Sequence, residues 1–346
     1  MKITRTTLIV RIVLFVGTFT SMFFVPWILV KAWLIPLPDT VQEQVIEAIN
    51  YDFDGMVVYV DKAGEPPAWY TAGWKDRNNK IPADPNALFK IASISKLYVS
   101  VATAKLVNAN RLSLDKTLAD YFPELVGRIE NADKITLRLM VQHRSGIPNY
   151  TDTPAYWDAP PDTSDEKLAL ALDLPATFAP GSSYEYSNTN YLLLAELIKK
   201  VVGYSHHQFI KEEILIPLGL TNTFSSLSEV DIDDVMGGYY VGVEQDIKAN
   251  DYGSMLATVE DVGIFLRALN DGSVFKEGEK EIYSSIYVYE HGGLIPGYQS
   301  LAEYHKDIDT IVVQVINTTD FNGYDWNLSQ ILYSRIVKIL RNQHAN

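Results

Sequence analysis

The strand-like segments of this chain lie at its two ends, and this division constrains the fold more than any other feature of the sequence. Strand patterns, rich in β-branched and aromatic residues, occur at residues 55–61, 68–74, 284–290, 300–305 and 310–316. Helical spacing dominates between these two groups, and a last helical segment, 331–340, closes the chain. We therefore predict a mixed α/β (α+β) fold in which both chain ends build one antiparallel sheet and a helical lobe is inserted between them.

An apolar stretch without charges, residues 12–30, follows the basic residues Lys2, Arg5 and Arg11 near the N-terminus. Its length is just sufficient to cross a bilayer, and basic residues before a span keep that end in the cytoplasm. No small-x-small cleavage site follows the stretch. We therefore predict an uncleaved single-pass anchor in the cell membrane, with the rest of the chain on the periplasmic or extracellular side. The alternative is a signal peptide that is cleaved from a secreted protein.

The chain is predicted to divide into three parts: a membrane anchor or signal segment (1–33), a linker with a first helix (34–49) and one large domain (50–346). All four basic residues before position 34 belong to the anchor, so the remainder carries 25 basic and 43 acidic residues, a net charge of −18. That charge argues against nucleic acid as a partner. It also argues against docking of the domain on anionic lipid.

The sequence offers no pattern that indicates a metal or a cofactor. It has no cysteine, which excludes a disulfide, a thiolate metal site and a cysteine nucleophile. No His-Glu-x-x-His motif occurs, and the adjacent His206 and His207 are interpreted as partly exposed residues in the middle of a helix, not as ligands. We expect neither a metal site nor a bound cofactor.

The first of three short motifs with catalytic chemistry is Ser93-Ile94-Ser95-Lys96, at the start of a predicted helix over residues 93–108. Positions i and i+3 share one helix face, so the lysine amine lies one turn from the serine hydroxyl and can activate it as a nucleophile. The Ser-x-x-Lys pattern also begins at Ser113, Ser164 and Ser273. Those three serines lie in a loop, an acidic segment and a turn, whereas an apolar run precedes Ser93. The alternative for Ser93 is a simple helix cap.

The second motif, Tyr186-Ser187-Asn188, lies on a loop that enters a helix predicted over residues 191–202. A tyrosine beside a lysine ammonium can share or take the serine proton. The side chain of Asn188 has two donors and one acceptor, which suit a substrate amide. The alternative is that Tyr186 only packs and that Asn188 only caps the helix.

The third motif, His291-Gly292-Gly293, ends the predicted strand 284–290. Paired glycines allow a substrate backbone to approach closely, and an extended edge can pair with a peptide-like substrate. The backbone amides of Ser93 and Leu294 are then candidates for an oxyanion hole. The alternative is a glycine-rich hairpin with a surface histidine.

With these three motifs in this order, the chain resembles the serine β-lactamase and penicillin-binding-protein superfamily. The resemblance is to the class C β-lactamase-like branch, which includes D-alanyl-D-alanine carboxypeptidases, D-aminopeptidases and esterases. Further similar segments are residues 140–148, 217–223 and 254–262. The resemblance implies a β-lactamase/transpeptidase-like fold with the active site between the lobes. It also implies an acyl-enzyme on Ser93, with Lys96 and Tyr186 in the proton relay and the identity of the base left open.

One departure from the β-lactamases affects the expected substrate. They carry Lys-Thr-Gly where this chain has His291-Gly292-Gly293, and a histidine is mostly neutral near pH 7. We therefore expect weak binding of a substrate carboxylate there, unless a basic residue elsewhere, such as Arg267 or Lys306, supplies the charge. The predicted function is hydrolysis of an amide or ester in a small-molecule or peptide-like substrate. A slowly acylating sensor of penicillin or peptidoglycan is the alternative, and the oligomeric state is left open.

Overall fold

The structure, a computed structural model, describes residues 5–345. Its helices are α1 (Arg5–Met22), α2 (Trp27–Leu34), α3 (Val41–Ala48), α4 (Ser95–Asn108), α5 (Leu118–Tyr121), α6 (Leu137–Val141), α7 (Ser164–Ala169), α8 (Asn188–Val202), α9 (His206–Ile210), α10 (Ile216–Leu218), α11 (Val259–Asp271), α12 (Glu279–Ser284) and α13 (Asp325–Ala345). Its strands are β1 (Gly55–Lys62), β2 (Ala68–Asp76), β3 (Ile81–Pro82), β4 (Phe89–Lys90), β5 (Thr223–Phe224), β6 (Tyr239–Tyr240), β7 (Leu256–Ala257), β8 (His291–Ile295), β9 (Tyr298–His305), β10 (Thr310–Ile316) and β11 (Thr318–Thr319).

The two ends of the chain meet at the centre of one antiparallel sheet, as predicted. The sheet has six strands in the order β3-β2-β1-β10-β9-β8. Strand β1, from the first part of the chain, pairs with β10, from the last part, with Met56 opposite Ile316 and Lys62 opposite Thr310. Strand β8 lies at the edge of this sheet, so one row of its backbone groups points away from its only neighbour, β9.

The central strands are buried on both faces, and successive residues alternate between two cores. Val57 and Tyr59 of β1 face the core shared with α11 and the helical lobe. Met56, Val58 and Val60 face the opposite core, which α3 and α13 complete. The sheet is therefore a middle layer, with the closing helix on one side and the inserted lobe on the other.

Helix α4 is the central helix of the inserted lobe. All its residues from Lys96 to Leu106 are buried, as expected for a helix that is covered on every side. It begins at Ser95 because a single 3-10 turn, Ala92–Ile94, precedes it, two residues later than the predicted start. Helix α8 packs beside α4 and ends at Val202, the predicted end, where the following Gly203 takes a left-handed conformation (φ 90°).

The predicted strand over residues 284–290 is wrong. Helix α12 ends at Ser284, and the strand begins only at His291. Side chains occupy the backbone acceptors of this segment where a neighbouring strand would otherwise bind: Gln142 donates to the carbonyl of Ser285, and Asn270 donates to that of Tyr289. The alternation of tyrosines here reflects packing into an aromatic cluster, which imitates the period of a strand.

The apolar N-terminal stretch is not one continuous helix. Helix α1 is long and apolar enough to cross a membrane, and none of it is buried. It ends at Met22, and α2 starts after Pro26, whose missing N–H cannot continue the helix. The predicted span 12–30 therefore runs across this break.

Helix α2 packs against the domain. Ala32 is fully buried, and the guanidinium of Arg335, on α13, donates to the carbonyl oxygens of Ile35 (2.8 Å) and Pro36 (2.9 Å). The residues on both sides of the predicted boundary at 33 thus contact the closing helix of the domain. The division into three parts remains a prediction.

Candidate active site

Ser93 lies on a strained turn between β4 and α4. Ala92, immediately before it, has a positive φ of 47°, which costs a residue with a side chain about 1–2 kcal/mol. The N–H of Ala92 donates to Ser254 Oγ at 2.9 Å, and this contact holds the turn in place. Such strain persists only where the surroundings fix it, and it is concentrated at functional sites. The turn presents Ser93, which is half-buried, to the main cleft.

Lys96 and Tyr186 both reach the hydroxyl of Ser93. Lys96 Nζ donates to Ser93 Oγ at 3.1 Å, and the Tyr186 hydroxyl donates to the same oxygen at 2.6 Å. Lys96 is only 7% exposed, and its ammonium lies 5.0 Å from the centre of the Tyr186 ring. Within residues 5–345 no carboxylate lies within 4.0 Å of Lys96. The lysine therefore contacts the serine and the tyrosine without an ion pair that would fix its charge.

Asn188 holds Lys96 in position. Its side-chain oxygen accepts a hydrogen bond from Lys96 Nζ at 2.8 Å, and its amide nitrogen donates to Thr151 at 3.0 Å. It is the first residue of α8, and its backbone N–H donates to the side chain of Asn149. These bonds leave Asn188 one donor hydrogen and one acceptor lone pair for the predicted contact with a substrate amide.

His143 supports Tyr186. No role was predicted for this histidine from the sequence. The two rings stack with centroids 4.4 Å apart and planes inclined by 28°. His143 is 2% exposed and adopts a positive φ of 56°, and its Nδ1 accepts a hydrogen bond from the N–H of Ser187. Burial, with a smaller effect from the charge of Lys96, lowers the pKa of His143 to about 3, so the ring is neutral. Its location inside the motif 140–148 was the signal available in the sequence.

The two glycines of the third motif serve the packing of β8. A Cβ on Gly293 would lie 2.5 Å from the carbonyl oxygen of Ile91, and one on Gly292 would lie 2.8 Å from the ring of Trp326. Gly293 therefore lets β8 approach the turn that carries Ser93. The predicted approach of a substrate backbone would then be to its neighbours, Gly292 and Leu294. Gly292 and Leu294 line the cleft from the edge of the sheet.

His291 is held as a neutral ring beside this centre. Its Nε2 is 3.0 Å from the Tyr287 hydroxyl, and its Nδ1 contacts the carbonyl of Gly292. Burial, together with the nearby charge of Lys96, lowers the pKa of His291 to about 4. The neutral state that we expected from the sequence is therefore reinforced by the surroundings of the ring.

The cleft has a volume of about 810 Å³ and separates the edge strand β8 from the helical lobe. Its outer wall is aromatic: Trp157 packs edge-on against Tyr252 (5.8 Å) and Phe321 (5.9 Å), which come from two other loops. The loop of Tyr252 is anchored from below by Lys90. This fully buried residue donates through Nζ to the carbonyl oxygens of Lys248 and Asn250.

Two expectations about outlying residues are corrected. His206 and His207 are the first two residues of α9, not the middle of a helix, and both line the cleft. Arg267 pairs with Asp61 and Asp309 and does not line the cleft. Lys306 lies at the exposed turn between β9 and β10 and is also absent from the cleft wall.

The fold and the cleft together define the class of protein: a β-lactamase-like fold, in which the turn that carries Ser93 lies between an antiparallel sheet and an inserted helical lobe. Comparison with known sequences agrees. The family model described as Beta-lactamase matches residues 39–330, and the chain therefore belongs to the beta-lactamase family. The predicted family resemblance and fold class are confirmed.

Individual relatives have low sequence identity to this chain. Penicillin-binding protein 4* of Bacillus subtilis is 28% identical over 210 residues, which cover 57% of this chain and 44% of that protein. Protein flp of Staphylococcus aureus is 28% identical over 189 residues, or 53% of this chain and 38% of that protein. The chain thus spans less than half the length of these curated relatives.

Solved structures share the fold over most of the chain. The D-amino acid amidase from Ochrobactrum anthropi SV3 superposes with a TM-score of 0.77 at 21% identity, covering 88% of this chain and 98% of that one. A penicillin binding protein from Bacillus halodurans gives a TM-score of 0.71 at 20% identity, covering 86% and 98%.

Proposed function

We propose that the chain is a membrane-anchored serine hydrolase that cleaves an amide or ester through an acyl-enzyme on Ser93. The observation that carries this proposal is the convergence of Lys96 Nζ and the Tyr186 hydroxyl on Ser93 Oγ, at 3.1 and 2.6 Å, in the wall of the main cleft. A serine needs an adjacent base to act as a nucleophile, and two candidate bases contact it.

The proton balance of the proposed reaction is simple. As Ser93 Oγ bonds to the substrate carbonyl carbon, its proton passes to whichever of Lys96 and Tyr186 is unprotonated. The same pair then delivers a proton to the departing amine or alkoxide when the scissile bond breaks. In the second half, water attacks the ester on Ser93, gives up its proton to the pair, and the serine hydroxyl is restored. We predict that the N–H groups of Ser93 and Leu294 stabilise the oxyanion.

The proposed substrate has no carboxylate next to the bond that breaks. A half-buried, neutral His291 occupies the position at which β-lactamases supply a lysine, so the charge for such a carboxylate is missing. The amidase neighbour from Ochrobactrum anthropi is described in complex with L-phenylalanine amide, an amide that has no carboxylate. Amides and esters without that carboxylate are therefore the substrate class that we favour.

The proposed location rests on α1. Its apolar side chains are entirely exposed, and Arg5 and Arg11 lie towards its N-terminal end. By the distribution of positive charge the N-terminus stays in the cytoplasm and the cleft faces the other side. Intact-mass analysis of the membrane fraction after carbonate extraction checks this, because a cleaved signal peptide leaves a shorter chain in the soluble fraction.

Acylation of Ser93 is tested by intact-mass spectrometry against a panel of short p-nitrophenyl esters, neutral amino acid amides, D-Ala-D-Ala peptides and a penicillin. We expect a mass increase of one acyl group on Ser93 and its loss within the turnover time, strongest for the neutral esters and amides. An adduct that forms with the penicillin and persists favours the slow sensor instead. No adduct with any member of the panel, or an adduct on another residue, contradicts the proposal.

A further inference from the structure

The cleft contains a second cation that the proposed chemistry does not use. Lys167, on the short helix α7, is half-buried and lines the same cavity as Ser93. Lys96 is fully engaged with Ser93 and Asn188, whereas Lys167 Nζ has no hydrogen bond and no carboxylate within 4.0 Å in the described part of the chain, residues 5–345. A cation in a concave wall without a partner is a candidate for binding an anionic ligand group.

The position of Lys167 relative to the nucleophile follows from a short chain of contacts. Lys167 Nζ lies 3.0 Å from the point where a Cβ on Gly253 would be, so it is beside the Gly253 backbone. The next residue, Ser254, accepts a hydrogen bond from the N–H of Ala92 at 2.9 Å, and Ser93 follows Ala92. With about 3.8 Å between successive Cα atoms, this path places Lys167 Nζ within roughly 20 Å of the nucleophile.

A second, independent feature of the same cavity also indicates an absent ligand group. His207 lines the cleft, and its Nδ1 is buried without a hydrogen-bond partner among the described residues. A buried polar nitrogen is rarely left unpaired, because the missing bond costs about 1–3 kcal/mol. The ring is kept neutral by burial, which lowers the pKa of His207, so it can donate to an acceptor without carrying charge.

The acidic residues of the cavity do not neutralise Lys167. Asp162 and Asp251 also line the cleft, but both are exposed, and neither forms an ion pair with Lys167. Asp251 also acts on the ring of His207, but exposure to water weakens the effect of both carboxylates, whereas the lysine is half-buried. The wall at Lys167 therefore combines a half-buried cation with exposed carboxylates.

We propose that Lys167 binds a carboxylate of the substrate away from the bond that breaks, within roughly 20 Å of the scissile carbonyl. The anion is remote from the reacting bond, which distinguishes it from the adjacent carboxylate of a penicillin that His291 is unable to bind. The proposal deepens the function proposed above and rests on it. The carboxylate belongs either to the acyl part or to the leaving group, and the test has one arm for each.

The test compares matched esters in three proteins. In the first arm, p-nitrophenyl monoesters of linear dicarboxylic acids of increasing length are compared with their methyl-capped counterparts. In the second arm, the carboxylate is on a chain attached to the phenol leaving group, again with a methyl-capped counterpart. The quantity measured is the ratio of kcat/KM for the free acid to kcat/KM for the capped ester. It is measured in the wild type, in Lys167→Met and in Lys116→Met, a lysine with the same Ser-x-x-Lys spacing outside the cleft.

We expect this ratio to fall about tenfold or more in Lys167→Met in one of the two arms, the usual loss for a hydrogen bond to a charged group. Lys116→Met should leave the ratio at the wild-type value, and Lys167→Arg should preserve most of it because the charge is retained. In the wild type alone, the advantage of the free acid should shrink as salt is added.

Two results are contrary to the proposal. If the ratio in Lys167→Met equals that of the wild type in both arms, or if salt does not change it, Lys167 binds no substrate carboxylate. This failure is separate from failure of the proposed function. If only the role of Lys167 is wrong, the capped esters still acylate Ser93. If the proposed function itself is wrong, no ester acylates Ser93.

Discussion

The pairs Ser93–Lys96 and Ser164–Lys167 have the same spacing and line the same cavity, but their surroundings differ. The first pair flanks the start of a buried helix of 14 residues, and its serine and lysine are hydrogen-bonded to each other. The second lies in a helix of six residues with none buried, and its serine and lysine share no hydrogen bond. Spacing alone places an amine near a hydroxyl; packing and further hydrogen bonds decide whether the two groups act together.

Removing each serine in turn should give the largest difference between the two pairs. Ser93→Ala should abolish turnover and labelling by a serine-reactive phosphonate, because the acyl-enzyme has no other attachment point. Ser164→Ala should keep the label, since within residues 5–345 its hydroxyl has no base in hydrogen-bond reach. Peptide mapping after labelling checks both variants. A label that survives in Ser93→Ala, or that maps to Ser164, overturns the assignment.

Removing the groups that activate Ser93 should have the next largest effect. We expect Lys96→Ala and Tyr186→Phe each to reduce kcat by about 10² to 10⁴, the usual range for general acid–base groups. Because both contact one oxygen, the double variant should lose far less than the product of the single losses. Lys116→Ala serves as the control for loss of a lysine. Strictly multiplicative losses would mean that the two residues act independently.

The stacked ring below Tyr186 should have a smaller effect. His143→Ala removes the surface against which the tyrosine packs, and a small displacement of a catalytic group costs up to about 10²-fold in rate. We expect kcat to fall by about 10- to 100-fold with little change in KM. In a Tyr186→Phe background the same substitution should cost much less. An equal loss in both backgrounds would indicate a purely structural role, which a melting curve would show separately.

The smallest effect concerns His291 and pH. Its pKa is lowered to about 4, so the ring gains charge only below that value, and kcat/KM for a neutral ester should show no limb from His291 between pH 5 and 8. His291→Lys supplies the missing charge and should improve penicillin acylation by about tenfold. Rapid penicillin turnover by the wild type, unchanged in the variant, would argue against this interpretation.

The strands that form short apolar runs were predictable. Strands β1 and β10 are buried on both faces, and such strands are nearly continuous runs of apolar residues in the sequence. The segment 284–290 has a strand pattern for another reason, since its tyrosines pack into a cluster while its backbone is bonded by side chains. A pattern of side chains does not reveal which groups satisfy the backbone.

The candidate site was predictable where the chemistry is local. The meeting of Ser93 with Lys96 follows from spacing along one chain segment, and the contribution of Tyr186 followed from the family resemblance. His143 and Lys167 could not be assigned in this way. Their roles depend on contacts with residues that are distant in sequence: His143 packs against Tyr186, and Lys167 lies beside Gly253. Neither residue is part of a local pattern that would identify it. Lys90 is a further example, because a lysine within an apolar run gave no indication that it is fully buried.

The break at Pro26 limits how far the catalytic domain can move. Four residues, 23–26, separate α1 from α2, and α2 is fixed to the closing helix through Arg335. Even fully extended, such a tether reaches only about 15 Å. With α1 in the bilayer, as proposed, the enzyme searches for substrate in a thin layer along the membrane and not through the surrounding volume. Lengthening this tether would then change which substrates are hydrolysed in the cell while leaving the chemistry of the cleft untouched.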